Sequence, residues 1–372
     1  MATNTTWHWP AKLTVINHSQ EVAVSNSTWG KMLTEDTGMA VDEPVEPDLV
    51  KRYLGINSGI YDLVPGFSNE TAQMFASERD FSGQTPFMTG IVWAYSKSNS
   101  GFIVNGKSPI REPHDIKPGT NMVDPSAFIS MRFYHALLAW AQVDQKDIAW
   151  VPAQNIEEVG EIIASGKASV AFATPTSKAT KIAAKGPSGI HWVELNAEKD
   201  PAGAARFAEI YPLAQFGIVP DGAEPTAAGT WGTESINYYL AKGQADTEFI
   251  YQLVKWLDTN YNRYAPLHKD NRFRARETLL KGLKHTFIPL HPGLIKYLTK
   301  YLKEKNFWSD AYEKREKQKL ALVNGYRKAF NEALKTAKKQ GIADATSPDW
   351  PAFWDKVCKT KGLESFKQYA GL

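Results

Sequence analysis

The chain has 372 residues, 43% of them hydrophobic and 22% charged, enough apolar material for a full core and for about two globular domains. Its longest apolar runs fall far short of the ~20 residues a membrane-spanning helix needs, and a single cysteine, Cys358, excludes an internal disulfide framework or a thiolate-rich metal site. The net charge of +3 conceals a division, since residues 1–261 hold 19 Lys/Arg against 29 Asp/Glu and residues 262–372 hold 24 against 11.

In chain order, hydrophobic periodicity predicts a strand over 13–16, a helix over 28–37 stopped by Gly38, a strand over 39–41, a helix over 48–54, a strand over 61–64 and a helix over 69–75. Strand-like segments at 91–95 and 102–104 flank the polar stretch 97–101. A second series runs through 120–123, 126–143, 148–151, 156–165, 168–173, 177–184 and 190–193, with Gly166 stopping the 156–165 helix. Strands over 214–219 and 231–240 follow, and beyond Thr247 the pattern is helical, with Phe249, Leu253, Trp256 and Leu257 on one face. Alternation of strand and helix favours parallel sheets covered by helices, with ligands at the carboxyl ends of the strands. Each sheet needs helices on both faces, so the late helices are expected to pack back on the first series. The middle series then becomes an insertion, with crossovers near 98–106 and 212–218.

The segment Ile288-Pro-Leu-His-Pro-Gly-Leu-Ile-Lys-Tyr297, followed by Tyr301-Leu-Lys-Glu-Lys-Asn306, resembles the C-terminal signature of the TAXI family. These are the substrate-binding subunits of one branch of the tripartite ATP-independent periplasmic (TRAP) transporters. The stretch 31–41, the run Gly59-Ile-Tyr-Asp-Leu-Val64 and the helix, glycine and strand of 156–173 are similar to the family too, so the resemblance covers about residues 10–308. It implies an α/β protein of the two-lobe type II periplasmic-binding-protein fold with a two-strand hinge. Lobe 1 would be 10–100 plus 216–306, lobe 2 an insertion at 104–213, and 307–372 an added C-terminal helical extension packing on lobe 1. It further implies a periplasmic monomer that captures a small organic ligand, an amino acid or 2-oxoacid, between its lobes and delivers it to TRAP membrane permease subunits, without a cofactor, a metal or a chemical step. The family's Gly- and Ser-rich loop with a tyrosine is replaced here by residues 17–30, and the extra rings suggest an aromatic carboxylate as ligand. Residues 1–6 have neither the basic start nor the apolar run of a signal peptide, and a mature form with its leader replaced is the expectation.

A cleft for a small anion needs helix N-termini, hydroxyl or amide donors and an apolar wall. After the first strand come His18 and then Ser25, Asn26, Ser27 and Thr28, with Trp29 opening the helix; the third strand leads into Phe67 and Ser68. In the second series Asp124 and Ser126 begin one helix and Thr174, Thr176 and Ser177 the next. Any one of these hydroxyls serves equally as a plain N-cap; their shared placement at strand ends is what points to a ligand. Trp29, Trp93 and Trp231 fall near strand ends or hinge segments, where a ring stacks on a ligand or fills the core. Gly30 and Gly232, beside Trp29 and Trp231, would let a ligand approach.

The same residues argue against an enzyme. The eight histidines form no His-Glu-x-x-His pair, and there is neither a Gly-x-Ser-x-Gly elbow nor a phosphate loop. A two-lobe transferase of the porphobilinogen deaminase kind needs a cofactor-carrying cysteine, for which Cys358 in a late basic helix is badly placed. A ligand sensor on the same fold remains an alternative. The lysines between 314 and 339 are spaced like a solvated helix face with few aromatics among them, so no nucleic-acid partner is expected.

Overall fold

The computed structural model describes residues 7–126, 131–220, 224, 226–301 and 308–363. The start at 1–6, the 127–130 part of the expected 126–143 helix, and 302–306 of the second TAXI-like segment lie outside the described residues. The first elements are β1 (Lys12–Thr14), α1 (Gln20–Thr37), β2 (Ala40–Asp42), α2 (Leu49–Ser58), β3 (Val64–Gly66), α3 (Ser68–Ala76) and β4 (Thr89–Asn105). Then come β5 (Asn121–Asp124), α4 (Arg132–Ala141), β6 (Ala149–Pro152), α5 (Ile156–Ser165), β7 (Val170–Ala173), α6 (Lys178–Ala184), β8 (Ile190–Trp192), α7 (Pro201–Ile210), β9 (Gln215–Ile218) and β10 (Trp231–Lys242). The chain finishes with α8 (Thr247–Thr259), α9 (Tyr261–Tyr264), α10 (Arg276–Leu283), α11 (Pro292–Lys296), α12 (Asp310–Ala337) and α13 (Trp350–Thr360).

The chain forms two compact units, one of residues 1–96 with 236–368 and the other of residues 97–235. It leaves the first unit within β4 and re-enters it within β10, whereas the sequence had placed the second crossover near 212–218. The separate strands expected at 91–95 and 102–104 are one strand, because the polar stretch between them finds partners on β10. Lys97 pairs with Glu234 at 2.5 Å, and the Ser100 and Thr233 hydroxyls lie 2.7 Å apart.

In unit 1, β1 and β2 are parallel, Lys12 facing Ala40 and Thr14 facing Asp42. Past its end β1 bridges in parallel to Leu63 through Val15 and to Val45 through Asn17. On the far side β10 runs antiparallel to β3, Tyr239 opposite Pro65. Strands that run the same way bring their carboxyl ends, and the starts of α1 and α3, to one edge. Leu13, Val15, Trp29, Leu33, Leu63 and Val64 are completely buried along these elements, at about 1.5–3 kcal/mol for each large apolar side chain.

The basic C-terminal helices also belong to unit 1. Buried positions 312, 316, 319, 323, 326, 330, 333 and 337 of α12 recur every three or four residues, the spacing of one helix face. Tyr326, Phe330, Trp350 and Trp354 form a cluster with Ala76 of α3, whose carbonyl accepts the Trp354 indole N–H at 2.7 Å. The lysines of α12 therefore sit mostly on the face left to water.

In unit 2, β4 is antiparallel to β7 on one side and to β8 on the other, Ile103 facing Ala171 and Trp192. β5 runs parallel to both β6 and β7. α5 packs across α6 over a core of Val123, Val159, Ile163, Ala171 and Trp192, and α4 packs across α7.

Candidate functional site

The first helix starts earlier than its sequence suggests. The Ser19 hydroxyl accepts the Val22 N–H at 3.4 Å and caps α1 at Gln20, so Ser25, Asn26, Ser27, Thr28 and Trp29 lie inside the helix rather than at its N-terminus. Polar residues in mid-helix disfavour it unless their side chains find partners, and these do. Ser27 donates to the Val24 carbonyl at 2.9 Å and Thr28 to the Ser25 carbonyl at 2.7 Å. The end of α1 that faces outward is therefore Ser19 and Gln20, next to His18.

At that edge the half-exposed ring of His18 meets the ring of Phe67 edge-on at 5.8 Å. Phe67 and Ser68 stand where β3 passes into α3; the N-cap residue Phe67 has no capping side chain, while the Glu70 carboxylate accepts the Phe67 backbone N–H. The first N–H groups of α3 have no partner within the helix and carry the positive end of the macrodipole. Beside them lies Arg52, only 3% exposed. Its guanidinium donates to the carbonyls of Glu46 at 3.0 Å and Pro47 at 2.8 Å and stands 3.9 Å from Glu70. Burial pushes the Glu70 carboxyl up to about 7 against the pull of Arg52. Burial, then the Arg52 charge, pushes the His18 imidazole below its ordinary value. The mouth thus combines an imidazole, an apolar ring, two helix starts and a buried cation that stands next to the Glu70 carboxyl.

Behind the mouth runs a polar chain that the sequence did not reveal. Asn17, fully buried, accepts the Asn26 amide N–H at 2.6 Å. The Asn26 side-chain oxygen accepts from Arg274 at 2.7 Å and from the Tyr239 hydroxyl. Arg274 is completely buried. It donates further to the Ser25 hydroxyl at 2.9 Å, to the Ser25 carbonyl at 3.2 Å and to the Asn271 side-chain oxygen, with the Tyr95 and Tyr239 rings 5.6 and 5.8 Å away. Burying an ion costs several kcal/mol after relaxation, and hydrogen bonds from a charged group return about 1.5–3 kcal/mol each.

Two of the three candidate tryptophans are core residues. Trp29 and Trp93 are completely buried; Trp29 donates to the Tyr239 hydroxyl at 3.2 Å and Trp93 to the Arg274 carbonyl at 2.8 Å. Neither presents a ring face to solvent. The room beside Gly30 and Gly232 is likewise occupied by the protein. A Cβ at Gly30 would come 2.5 Å from Glu43 Oε1, and one at Gly232 would come 2.7 Å from the Ser100 carbonyl oxygen.

In unit 2 Asp124 and Ser126 stand at the carboxyl end of β5 and Thr174, Thr176 and Ser177 at that of the parallel β7, whereas α4, expected to open at Ser126, starts among the described residues at Arg132. Asp124 ends β5 and accepts the Ser126 N–H at 2.9 Å. Thr174 follows β7, and its carbonyl accepts the Thr180 hydroxyl at 2.7 Å, while Ser177 caps α6. Thr176 is exposed. Trp231 is half-buried at the start of β10, its N–H held by Glu194 at 2.8 Å. Arg52, Glu70, Asn17 and Arg274 were missed; only Arg52, a cation within a mostly apolar helix, carried a local signal.

Two α/β units, entered and left through two strands and carrying helix starts at the carboxyl ends of parallel strands, define a mixed α/β protein that resembles the two-lobe periplasmic binding proteins. The chain belongs to the NMT1-like family, which matches residues 69–304. No curated protein matches it. Among solved structures it is similar to a putative sulfonate ABC transporter's periplasmic sulfonate-binding protein from Methylobacillus flagellatus KT, at 13% identity over 97% of each chain with a TM-score of 0.43. It is also similar to the periplasmic aliphatic sulphonate binding protein of Escherichia coli, at 12% identity over 74% of this chain and 79% of the other, with a TM-score of 0.39. A third similar structure is PhnD1 from Prochlorococcus marinus in complex with methylphosphonate, at 12% identity over 80% and 100%, with a TM-score of 0.37. At these scores the likeness adds nothing to the fold already described. Among the described residues no helix is long and apolar enough to cross a membrane, and no group of three or more His, Cys, Asp or Glu could hold a metal ion.

Proposed function

We propose that the chain is an extracytoplasmic solute-binding protein of the TAXI kind, which captures a small organic anion and delivers it to a TRAP-type permease. The observation that carries this reading is the mouth in unit 1, where the starts of α1 and α3, His18, Phe67, Ser68 and buried Arg52 meet at one sheet edge. Such a place attracts a carboxylate or a similar anion through helix N–H groups and positive charge, and an apolar ring through Phe67. The reading assigns Asp124, Ser126, Thr174, Thr176, Ser177 and Trp231 of unit 2 to ligand contact as well. Delivery to a TRAP permease rests on the likeness of the Ile288 to Tyr297 run to the TAXI signature. His291 there caps α11, accepting the Gly293 N–H at 3.1 Å.

A thermal-shift screen tests the reading. Its panel is amino acids, dicarboxylates, 2-oxoacids and aromatic acids, together with the sulfonates and methylphosphonate named for the similar structures. A ligand that binds only the folded state adds about 2.7 kcal/mol at a hundred times its Kd, which a melting curve resolves. Absence of any shift, with no heat of binding by calorimetry, removes the organic-anion function.

A further inference from the structure

Among the described residues of unit 1, the buried Arg274 and the half-buried Glu43 make no ion pair, and both connect to the mouth through the backbone or side chain of Asn17. Arg274 is completely buried, makes its hydrogen bonds to neutral oxygens and leaves Nε without a partner; among the described residues no carboxylate pairs with it, and the Glu43 charge acts on it only at longer range. Buried charges are ordinarily paired or neutralised. Glu43 follows β2; its Oε1 is buried without a hydrogen bond and lies against Gly30 of α1. The next residue, Pro44, accepts the Asn17 N–H at 2.9 Å through its carbonyl, and Asn17 connects through Asn26 to Arg274. His18, the next residue along, is at the mouth.

We infer that Arg274 and Glu43 set the charge of the solute: the guanidinium makes unit 1 select an anion, and Glu43 takes up a proton from solvent when that anion binds. This rests on the mouth of unit 1 being the solute site. The guanidinium acts through the Asn26 and Asn17 chain and through space, so it is a positioning and selecting residue that the solute does not touch. The proton adds to a Glu43 carboxylate oxygen, and no bond of the solute changes. Glu43 lines an open hollow of about 540 Å3 with Lys12, Asp42, Pro44 and Tyr61, which gives a proton its route. The charged and titratable groups that bear on Glu43 are Lys31, Arg274, Asp42 and Tyr239, and burial pushes its carboxyl up to about 7. An anion at the mouth, joined to the Glu43 segment through the hydrogen bond between Asn17 and Pro44, adds negative potential and raises that value further. By linkage, anion affinity then falls as pH rises through 7.

The test measures binding by calorimetry at pH 6 and pH 8, in two buffers of different ionisation enthalpy, with benzoate, 2-oxoglutarate and ethanesulfonate as probes and benzamide as the neutral control. Wild type should bind an anion about three- to tenfold more weakly at pH 8 and take up a fraction of one proton per ligand at pH 7.5. Glu43→Gln should show a smaller pH dependence and less proton uptake than wild type, the remainder belonging to Glu70, which burial also holds near 7. Arg274→Met should lose about tenfold or more for the anion, with the ratio of anion to benzamide affinity shifted towards benzamide, while Arg274→Lys keeps the preference. If Arg274→Met does not fold, proton uptake in wild type against Glu43→Gln decides alone. Anion binding with no pH dependence and no proton uptake, or with both unchanged in Glu43→Gln, overturns this inference and leaves the function standing. Failure of every anion to bind at both pH values overturns both.

Discussion

Histidine 291 shows how burial converts a side chain into a pH-dependent element. It is completely buried, and burial pushes its imidazole down to about 4. The folded state therefore holds it neutral over a range in which the unfolded chain protonates it. Its contribution is complete above the ordinary histidine value of about 6.5 and is lost as pH falls towards 4, a decline of up to about 3 kcal/mol. Replacing His291 with Asn, which retains an acceptor for the Gly293 N–H, should flatten the denaturant-midpoint profile between pH 6.5 and 4. An unchanged profile would place the acid sensitivity elsewhere. At Gly232 the constraint is steric, because a Cβ would press 2.7 Å from a backbone oxygen of β4. Gly232→Ala should cost about 1–3 kcal/mol in urea unfolding, and a neutral result would show that β4 can yield. Single residues also mark where sequence reasoning stops. Trp29 and Trp93 next to small or strand-end residues look the same whether a ring faces a ligand or the core, and only their burial separates the two cases.

At the scale of elements, the start of α1 was misplaced because Ser25, Asn26, Ser27 and Thr28 carry the composition of a loop. Their side chains bond to the helix itself and to Arg274, a residue about 250 positions away, so local propensity was overridden by tertiary partners. Ser19→Ala should remove the true cap and cost about 1 kcal/mol, measurable by thermal unfolding, whereas Thr28→Ala should not act as a cap loss. The basic tail was recognisable as helix, but not the charged pair within it. Lys319 is completely buried, 3.2 Å from Glu316, which also accepts the Leu290 N–H at 2.5 Å. Burial pushes the Lys319 ammonium down to about 8 and the Glu316 carboxyl up. Lys319→Met alone should cost about 3–5 kcal/mol, because it leaves a buried carboxylate unpaired. The double change Lys319→Met with Glu316→Gln should recover much of that loss while keeping an acceptor for Leu290. If the double variant is no better than the single one, the cost comes from packing instead of charge.

For the whole molecule, the division of charge along the sequence does not survive folding in that form. Unit 1 joins residues from both ends of the chain, so residues 1–96 and 236–368 together hold 31 Lys/Arg against 25 Asp/Glu, and residues 97–235 hold 12 against 15. The acidic first part and the basic last part largely share one unit. The same connectivity makes the units unequal as folding problems. Residues 97–235 are continuous, while the sheet of unit 1 needs β10 against β3. A fragment of residues 97–235 should give a dispersed amide NMR spectrum, and a fragment of residues 1–96 should not. A structured fragment of residues 1–96 would show that β10 is dispensable. From its sequence alone the chain's alternating α/β elements, the helical character of its last third and the edge of the sheet where helix starts gather were already determined, because these follow from local periodicity and turn chemistry. Only the tertiary structure decided where α1 begins, that β4 is a single strand, and that Arg274 and Asn17 stand behind the mouth, because those outcomes depend on hydrogen bonds between residues far apart in the chain.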